Sequence, residues 1–431
     1  MALTGRLALL AAGAAVGVGL LAPTGWGVLV ATLALVALAA VDVALAGPVR
    51  ALRVHRDGDS AVRLGEPAQV RLTVENPSGR RVRGRLRDAW PPSAGAPQQR
   101  HDLDVPPGER RRVSTHLRPT RRGDRLADRV TVRSVGPMGL AARQGSHQVP
   151  WRLRALPPFE SRRYLPSRLA RLREMDGRSA VQVRGQGTEF DSLREYVVGD
   201  DVRSIDWRAS ARAADVMVRT WRPERDRRVL LVLDCGRTAA GRVGDAPRLD
   251  AAMDAALLLA ALAARAGDRV DLVAYDRAVR ARVEGVPATG LLPALVQAMA
   301  PLDASLVEPD YRGMVSTVLA SSARRSLVVL LTALDTAPVE EGLLPVLGLL
   351  TRRHGVVLAS VADPRVAEMA AGRGEVAAVY DAASADRAGL ERERLGQVLS
   401  RRGVEVVDAP PGLLAPRLAD RYLALKAAGR L

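Results

Sequence analysis

The sequence predicts a doubly wound α/β domain in its carboxy-terminal half, preceded by a small antiparallel β-sandwich and an amino-terminal pair of membrane-spanning helices. Three observations lead there. Two apolar stretches fill most of the first 46 residues, short alternating runs fill 61–155, and from Arg228 onward continuous apolar runs alternate with amphipathic segments. The domains follow as 1–50, 51–160, a linker at 161–227, and 228–431.

From Leu7 to Ala22 the chain is uncharged and apolar; Pro23, Thr24 and Gly25 make a turn, and Trp26 to Val41 is apolar again. Extended to Leu3 and to Ala46, each stretch approaches the roughly 20 residues that span a bilayer. The pair therefore reads as a transmembrane hairpin. A cleaved signal peptide ending near Ala22 fits less well, because a second apolar stretch follows at once. A pair of buried helices is the other alternative. Asp42 lies where a carboxylate near the end of a span reaches the interface. Arg50, Arg53 and Arg56 follow, and the positive-inside rule then places the bulk of the chain in the cytoplasm with the turn outside.

The formal charge of +17 is concentrated. Residues 51–180 carry +15, with 28 basic against 13 acidic residues, whereas 228–431 carry +1, with 25 against 24. A basic segment leaving the membrane faces anionic lipid headgroups, where each nearby basic residue contributes about 1 kcal/mol. Nucleic acid would answer the same charge, but aromatic residues make up only 3% of the chain and are not interleaved with the arginines, which argues against a stacking surface for single strands. The single cysteine, Cys235, excludes an internal disulfide.

Runs such as QVRLTVENPSG, RVRGRLRDAW, RRRVSTHLRP and DRVTVRSVGPMGL alternate with the period of half-buried strands: Val70, Leu72 and Val74 point one way, Arg71, Thr73 and Glu75 the other. Turn residues recur about every ten positions, as in an antiparallel sandwich. His101, His116 and His147 lack a carboxylate or cysteine at metal-ligand spacing and read as strand-face histidines.

RRVLLVLDCG, RVDLVAYD, SLVVLLTALD, GVVLASVAD and GVEVVDA read as strands of a parallel sheet buried on both faces. LDAAMDAALLLAALAARAGD and the segments 287–300, 309–322, 338–353 and 384–402 read as helices between them. Ligands of such folds lie at the carboxyl ends of the strands, which makes Asp234, Tyr275, Asp276, Thr332 and Asp335 the candidate functional residues. Cys235 also stands at a strand end, a place for a nucleophile, but His354 precedes its strand and falls at the opposite edge, so no base is in reach. No Gly-x-x-x-x-Gly-Lys-Ser/Thr loop occurs, which argues against intrinsic ATPase activity.

The run Asp234-x-Gly236-x-Thr238 resembles the opening of von Willebrand factor A domains, whose metal loop reads Asp-x-Ser-x-Ser. The resemblance implies a Rossmann-like domain holding a divalent cation such as Mg²⁺ through those oxygens, a Thr from a later loop and an Asp after the fourth strand. Asp234 is kept and Thr238 replaces one Ser. Gly236 stands where the other hydroxyl belongs, and Ala333 where the second Asp does, with Asp335 two residues later. Two side-chain oxygens of the octahedral set are thus lost, and Asp234 and Thr238 are what remains of a degenerate site.

The stretch GTEFDSLREYVVGDDVRSIDWRASAR, residues 187–212, packs six carboxylates, four arginines, a Phe, a Tyr and a Trp into 26 positions. Its Gly187, Glu189, Phe190, Leu193, Arg194, Tyr196, Gly199, Asp200, Asp201, Arg203, Asp206, Trp207, Ala211 and Arg212 follow a signature that resembles the bacterial membrane proteins of the domain of unknown function 58 family. The resemblance implies a von Willebrand A-like domain beside the signature, a MoxR-type AAA+ ATPase as partner, and a role in assembly or the cell envelope without an established enzymatic activity. On the residues themselves, Asp191 is placed to cap a helix over SLREYV, and Asp200 or Asp201 a second over VRSIDWRASAR, on which Arg203 and Trp207 stand four apart. DVMVRTWRPE follows as a strand that pairs at the sheet edge. Two roles fit the stretch: a clasp anchored to the α/β domain by Phe190, Tyr196 and Trp207, or a docking surface of exposed aromatic and arginine side chains.

The expected function is a membrane-anchored, non-enzymatic protein-interaction adaptor. A metal-dependent adhesion-type domain and a basic lipid- or nucleic-acid-binding protein are the alternatives.

Overall fold

The computed structural model describes residues 2–182, 189–198, 200–213, 215–222 and 227–431. The chain divides into two compact units, Met1–Leu156 and Pro157–Leu431.

The first unit opens with helices α1 (Gly5–Leu21) and α2 (Gly25–Leu45), which pack along each other. No residue of α1 is buried, and in α2 only Asp42 and Val43 are. Among the described residues one helix, α2 with the turn after it (Gly25–Ala51, hydropathy 2.6), is long and apolar enough to cross a membrane; α1, with 17 residues, is shorter. Asp42 does not reach an aqueous interface as the sequence led us to expect. It is fully buried, and its carboxylate accepts hydrogen bonds from the backbone N–H groups of Met138, Leu140 and Ala141 at 2.7–2.8 Å. Its loop partner leaves no room: a Cβ on Gly136 would lie 2.2 Å from Asp42 Oδ1.

The sandwich follows. Strands β1 (Arg53–Gly58), β2 (Ala68–Glu75), β3 (Val82–Asp88), β4 (Arg100–Val105), β5 (Arg110–Leu117), β6 (Gly123–Val135) and β7 (Ala141–Leu156) form two sheets. One is β1-β2-β5; the other runs β7-β6-β3-β4, with the short strands Ala2–Leu3 and Ala61–Arg63 on β7. Both contribute to one core: Leu72 and Val74 from the first, and Val82, Leu86, Leu103, Val105, Val130 and Val132 from the second. The alternation holds, with Val70, Leu72 and Val74 fully buried. Arg56 departs from the reading of a membrane-flanking charge. It is buried against Asp88, whose other carboxylate oxygen accepts from the Trp90 indole and the Thr115 hydroxyl at 2.8 Å.

In the second unit, α3 (Leu165–Gln182) comes first, then β8 (Glu189–Glu195), α4 (Trp207–Ala213) and β9 (Met217–Arg222). The main sheet is built from β10 (Arg228–Asp234), β11 (Arg269–Tyr275), β12 (Val279–Val283), β13 (Leu327–Leu331), β14 (Gly355–Val361) and β15 (Val404–Ala409). Its order is β12-β11-β10-β13-β14-β15, parallel except for β12. Numbered within the sheet this is 3-2-1-4-5-6, the doubly wound order.

The helices of this unit are α5 (Arg248–Arg265), α6 (Ala288–Met299), α7 (Tyr311–Ser321), α8 (Leu344–Thr351), α9 (Pro364–Ala370), α10 (Val376–Arg401) and α11 (Pro411–Ala427). Helices α7, α8 and α10 cover one face of the sheet through Val315, Leu347 and Leu399, while α5 and α11 pack together on strands of the same sheet. Within the segment read as a linker, α3 packs on α5 and α11, with Arg168 and Arg171 paired to Asp420 at 3.1 and 2.7 Å. The sequence reading lacked β12, α9 and α11, and it began α10 eight residues late.

Candidate functional site

The continuous apolar run of β10 buries that strand on both faces and delivers Asp234 to the carboxyl edge of the sheet, 1% exposed. Its Oδ1 accepts the N–H of Gly236 at 2.8 Å; its Oδ2 accepts the hydroxyls of Thr238 at 3.1 Å and Thr332 at 2.6 Å. Tyr311, buried at the start of α7, hydrogen-bonds Thr332 at 3.2 Å. Burial pushes the Asp234 carboxyl above the usual carboxylate range, against the three hydrogen bonds, and raises the Tyr311 hydroxyl too. The structure brings Thr238 and Thr332 together on Asp234. Sequence reasoning missed Tyr311, whose one available signal was Asp310, which caps α7 by accepting from Gly313 N at 3.0 Å.

This donor set is smaller than the one a hard cation usually takes. Both threonine hydroxyls donate to Asp234, Ala333 is a buried alanine, and Gly236 is crowded, with Pro309 carbons 3.2 Å from where its Cβ would lie. One carboxylate and two hydroxyls supply at most a few of the six oxygens around a Mg²⁺ ion, and waters would supply the rest. Among the described residues no group of three or more His, Cys, Asp or Glu side chains is arranged to hold a metal ion.

The other strand-end candidates are separately engaged. Asp335 pairs with Arg248 at 3.2 Å. Asp276 accepts the N–H groups of Arg277 and Ala278 and the Ser305 hydroxyl; burial opposes its charge, but these donors and Arg280 outweigh it and hold the carboxyl below the usual range. Tyr275 is buried and donates to the Arg277 carbonyl at 3.3 Å. Cys235 is buried beside them, while His354 precedes β14 at the opposite edge of the sheet.

The signature region folds differently from its sequence reading. Of the residues expected to form a helix over SLREYV, those at 192–195 lie in β8, which pairs antiparallel with β9 in a separate two-stranded sheet. Helix propensity is overridden by this pairing, so Asp191 caps no helix, and β9 pairs with β8 rather than with the edge of the main sheet. VRSIDWRASAR divides into a single 3-10 turn at Val202–Ser204, capped by Asp201, and α4, which starts only at Trp207. Arg203 and Trp207 therefore do not share a helix.

Carboxylates organise the module. Asp200 accepts from Arg194 at 2.6 Å and from Val197 N at 3.0 Å. Asp206 takes the N–H groups of Arg208 and Ala209 and pairs with Arg219 at 2.8 Å; the N–H of Ala209 and then Arg219 hold its carboxyl below the usual range. Tyr196 is half-buried, and its N–H donates to the Val216 carbonyl at 2.7 Å. Trp207 is 70% exposed and does not anchor the module, while Arg203 and Arg212 are exposed as well. Gly187 and Gly199 lie outside the described residues, as do the side chains of Glu189, Phe190 and Asp191.

Beside this geometry stands a family match. Residues 192–402 match the family described as "Protein of unknown function DUF58". The match starts inside β8 and ends one residue past α10, so it takes in most of the signature and the strand-end cluster, and it supports the DUF58 resemblance carried by Arg194, Asp200, Asp206 and Trp207. No curated protein matches the chain. Solved structures similar to parts of it include the CARDB domain of PF1109 from Pyrococcus furiosus, at 17% identity over 24% of this chain and 86% of that one, with a TM-score of 0.19. A PapD-like domain of human CEP192 is similar at 11% identity over 24% and 84%, with a TM-score of 0.17. A β-glucosidase from Listeria innocua is similar at 13% identity over 23% and 16%, with a TM-score of 0.16. At such scores these likenesses carry no argument.

Proposed function

We propose that this chain is a membrane-anchored, non-enzymatic protein-interaction adaptor with a von Willebrand A-like α/β domain, working with a MoxR-type AAA+ ATPase in assembly or cell-envelope processes. The observation that carries the anchor is the helix pair: two apolar helices exposed along their length and held at their foot. Leu9, Leu20, Leu21 and Trp26 are each more than 70% exposed. Water does not tolerate such a surface, and hydrocarbon does. At 1.5 Å per residue α1 and α2 extend about 25 and 31 Å, against a hydrocarbon core of about 30 Å. Both helices cross in this reading, with the soluble parts on the cytoplasmic side.

Three features support an adaptor. The strand-end hydroxyls are engaged with Asp234 rather than poised toward a substrate, and Cys235 is buried, with His354 at the opposite edge of its sheet. The main sheet, with its antiparallel third strand and polar cluster at the carboxyl edge, is compatible with a von Willebrand A-like domain. The signature module displays Val197, Val198, Val202 and Trp207, 60–94% exposed, beside the exposed Arg203 and Arg212. Aromatic and arginine side chains of this kind serve as binding anchors.

Photo-crosslinkers at Val198 and Val202 of the full-length protein, irradiated in intact cells, test the partner, with one at exposed Leu126 of the sandwich as control. Capture of an AAA+ ATPase at the first two positions and not at the control supports the reading. Recovery of only the protein itself at all three removes the docking role.

A further inference from the structure

The foot of the helix pair carries a second feature. Both ends of the pair meet the loop 136–141: Asp42 takes three of its N–H groups, and Thr4, the residue before α1, donates its hydroxyl to the carbonyls of Gly139 and Leu140 at 2.6 and 2.9 Å. Three arginines reach this foot, and a fourth follows it in sequence. Arg143 donates to the carbonyls of Val43 and Ala44 at the end of α2, and Arg80 donates to that of Ala44. A Cβ on Gly139 would lie 2.8 Å from the Arg6 guanidinium, and Arg50 follows α2 by five residues. Arg6, Arg50 and Arg80 are exposed and Arg143 is half-buried. None of the four has a carboxylate partner among the described residues, whereas Arg71 and Arg154 elsewhere in the sandwich are paired to Asp57 and Asp124.

The geometry points to a headgroup site for anionic phospholipid at the foot of the hairpin, held by Arg6, Arg50, Arg80 and Arg143. This inference rests on the reading of α1 and α2 as membrane helices. The docked helix ends fix where the bilayer stops, and the guanidinium groups of Arg6, Arg80 and Arg143 lie at that level, with exposed Arg50 five residues past α2. Each retains N–H donors beyond those given to the helix end, and the guanidinium fork matches a phosphodiester. Helix C-terminal carbonyls also draw the cations to this place, so the same side chains serve the helix end and the lipid. Met138, 38% exposed in the same loop, supplies an apolar contact for the acyl edge of the headgroup region. A zwitterionic lipid brings its own ammonium into this field and gains less from it. The site therefore selects net negative headgroups.

The test uses the full-length protein reconstituted in vesicles of equal phosphatidylcholine and phosphatidylglycerol, extracted into polymer-bounded particles whose lipids are measured by mass spectrometry. The expected result is a phosphatidylglycerol share at least about twofold above that of the vesicles, falling toward the bulk value in 1 M salt. In the triple variant Arg6→Gln, Arg50→Gln, Arg80→Gln it returns to the bulk value; Arg143 is kept because it makes two of the bonds that close α2. A bulk ratio around the native protein, or enrichment that survives both salt and the triple variant, overturns the site. Flotation with vesicles of phosphatidylcholine alone separates the two levels of the inference. Protein that floats without enrichment refutes the headgroup site only, and protein that does not float refutes the membrane helices and the site with them.

Discussion

Asp42 and Asp234 are each almost wholly buried and each accept three hydrogen bonds, yet the donors differ. Around Asp42 all three are backbone N–H groups of one loop, which have no other partner to turn to. Around Asp234 one is an N–H and two are hydroxyls, which can reverse and accept. At the second site burial holds the carboxyl above the usual carboxylate range. One carboxylate welds a helix to a sandwich; the other gathers two hydroxyls at the carboxyl edge of a sheet.

The largest effect is expected from Asp42→Ala. It leaves three amide groups without an acceptor in a loop that already touches Asp42 at van der Waals distance, at a cost of about 3 kcal/mol or more. Chemical denaturation of the full-length protein in detergent should show the sandwich weakened by that amount. A loss below about 1 kcal/mol would mean that water replaces the carboxylate and that the weld is not structural.

Asp234→Asn sharpens the contrast through pH. Because the folded carboxyl lies above its unfolded value, the folded chain holds this proton more tightly than the unfolded chain. The stability it contributes is complete below the unfolded value of about 3.9 and is lost as pH rises through the raised folded value. An asparagine has no such dependence. The melting temperature of Asp234→Asn minus that of the native protein should therefore increase with pH above about 4 and then level off. A difference that stays flat would show that Asp234 is ionised in the fold like any surface carboxylate.

A Mg²⁺ titration separates the closed cluster from a working metal site. Millimolar Mg²⁺ should leave the melting temperature unchanged, since a ligand that binds the native state raises it. A concentration-dependent rise that disappears in Asp234→Asn would restore the metal-dependent adhesion reading.

The smallest effect on stability belongs to Trp207→Ser. This side chain is mostly exposed and caps nothing, so the change should stay within about 0.5 kcal/mol, while crosslinking from Val202 to a partner drops severalfold. Equal loss of stability and crosslinking would make Trp207 a part of the fold instead.

The strand runs from Val229, Leu327 and Val356 were legible because a parallel sheet buried on both faces has no other way to be written. The edge strand β12 was not, since VRARV alternates with mostly exposed residues and could equally be loop. Helix α11 was absent from the sequence reading; it carries Pro411 and Pro416, and Pro411 occupies its first turn, where the missing N–H has no partner to lose. Of the strand-end cluster, Asp234 and Thr332 were visible from position, and Thr238 only through the resemblance to von Willebrand A domains. Tyr311 was not, because nothing in EPDYRGM says that its hydroxyl will meet Thr332 across 21 residues.

By itself the sequence determined the periodicities: an apolar pair at the start, alternation through the sandwich, and buried strands after Arg228, each fixed by where the chain must hide its side chains from water. Only the tertiary structure decided the fate of the polar groups. Asp42 turned inward to three amides, Arg56 found Asp88 in the sandwich core, and residues with helical preference at 192–195 became a strand because β9 offered them a ladder. The physical reason is the same in each case. Burial is a property of a segment and can be read locally, whereas a hydrogen-bond partner comes from wherever the fold delivers one.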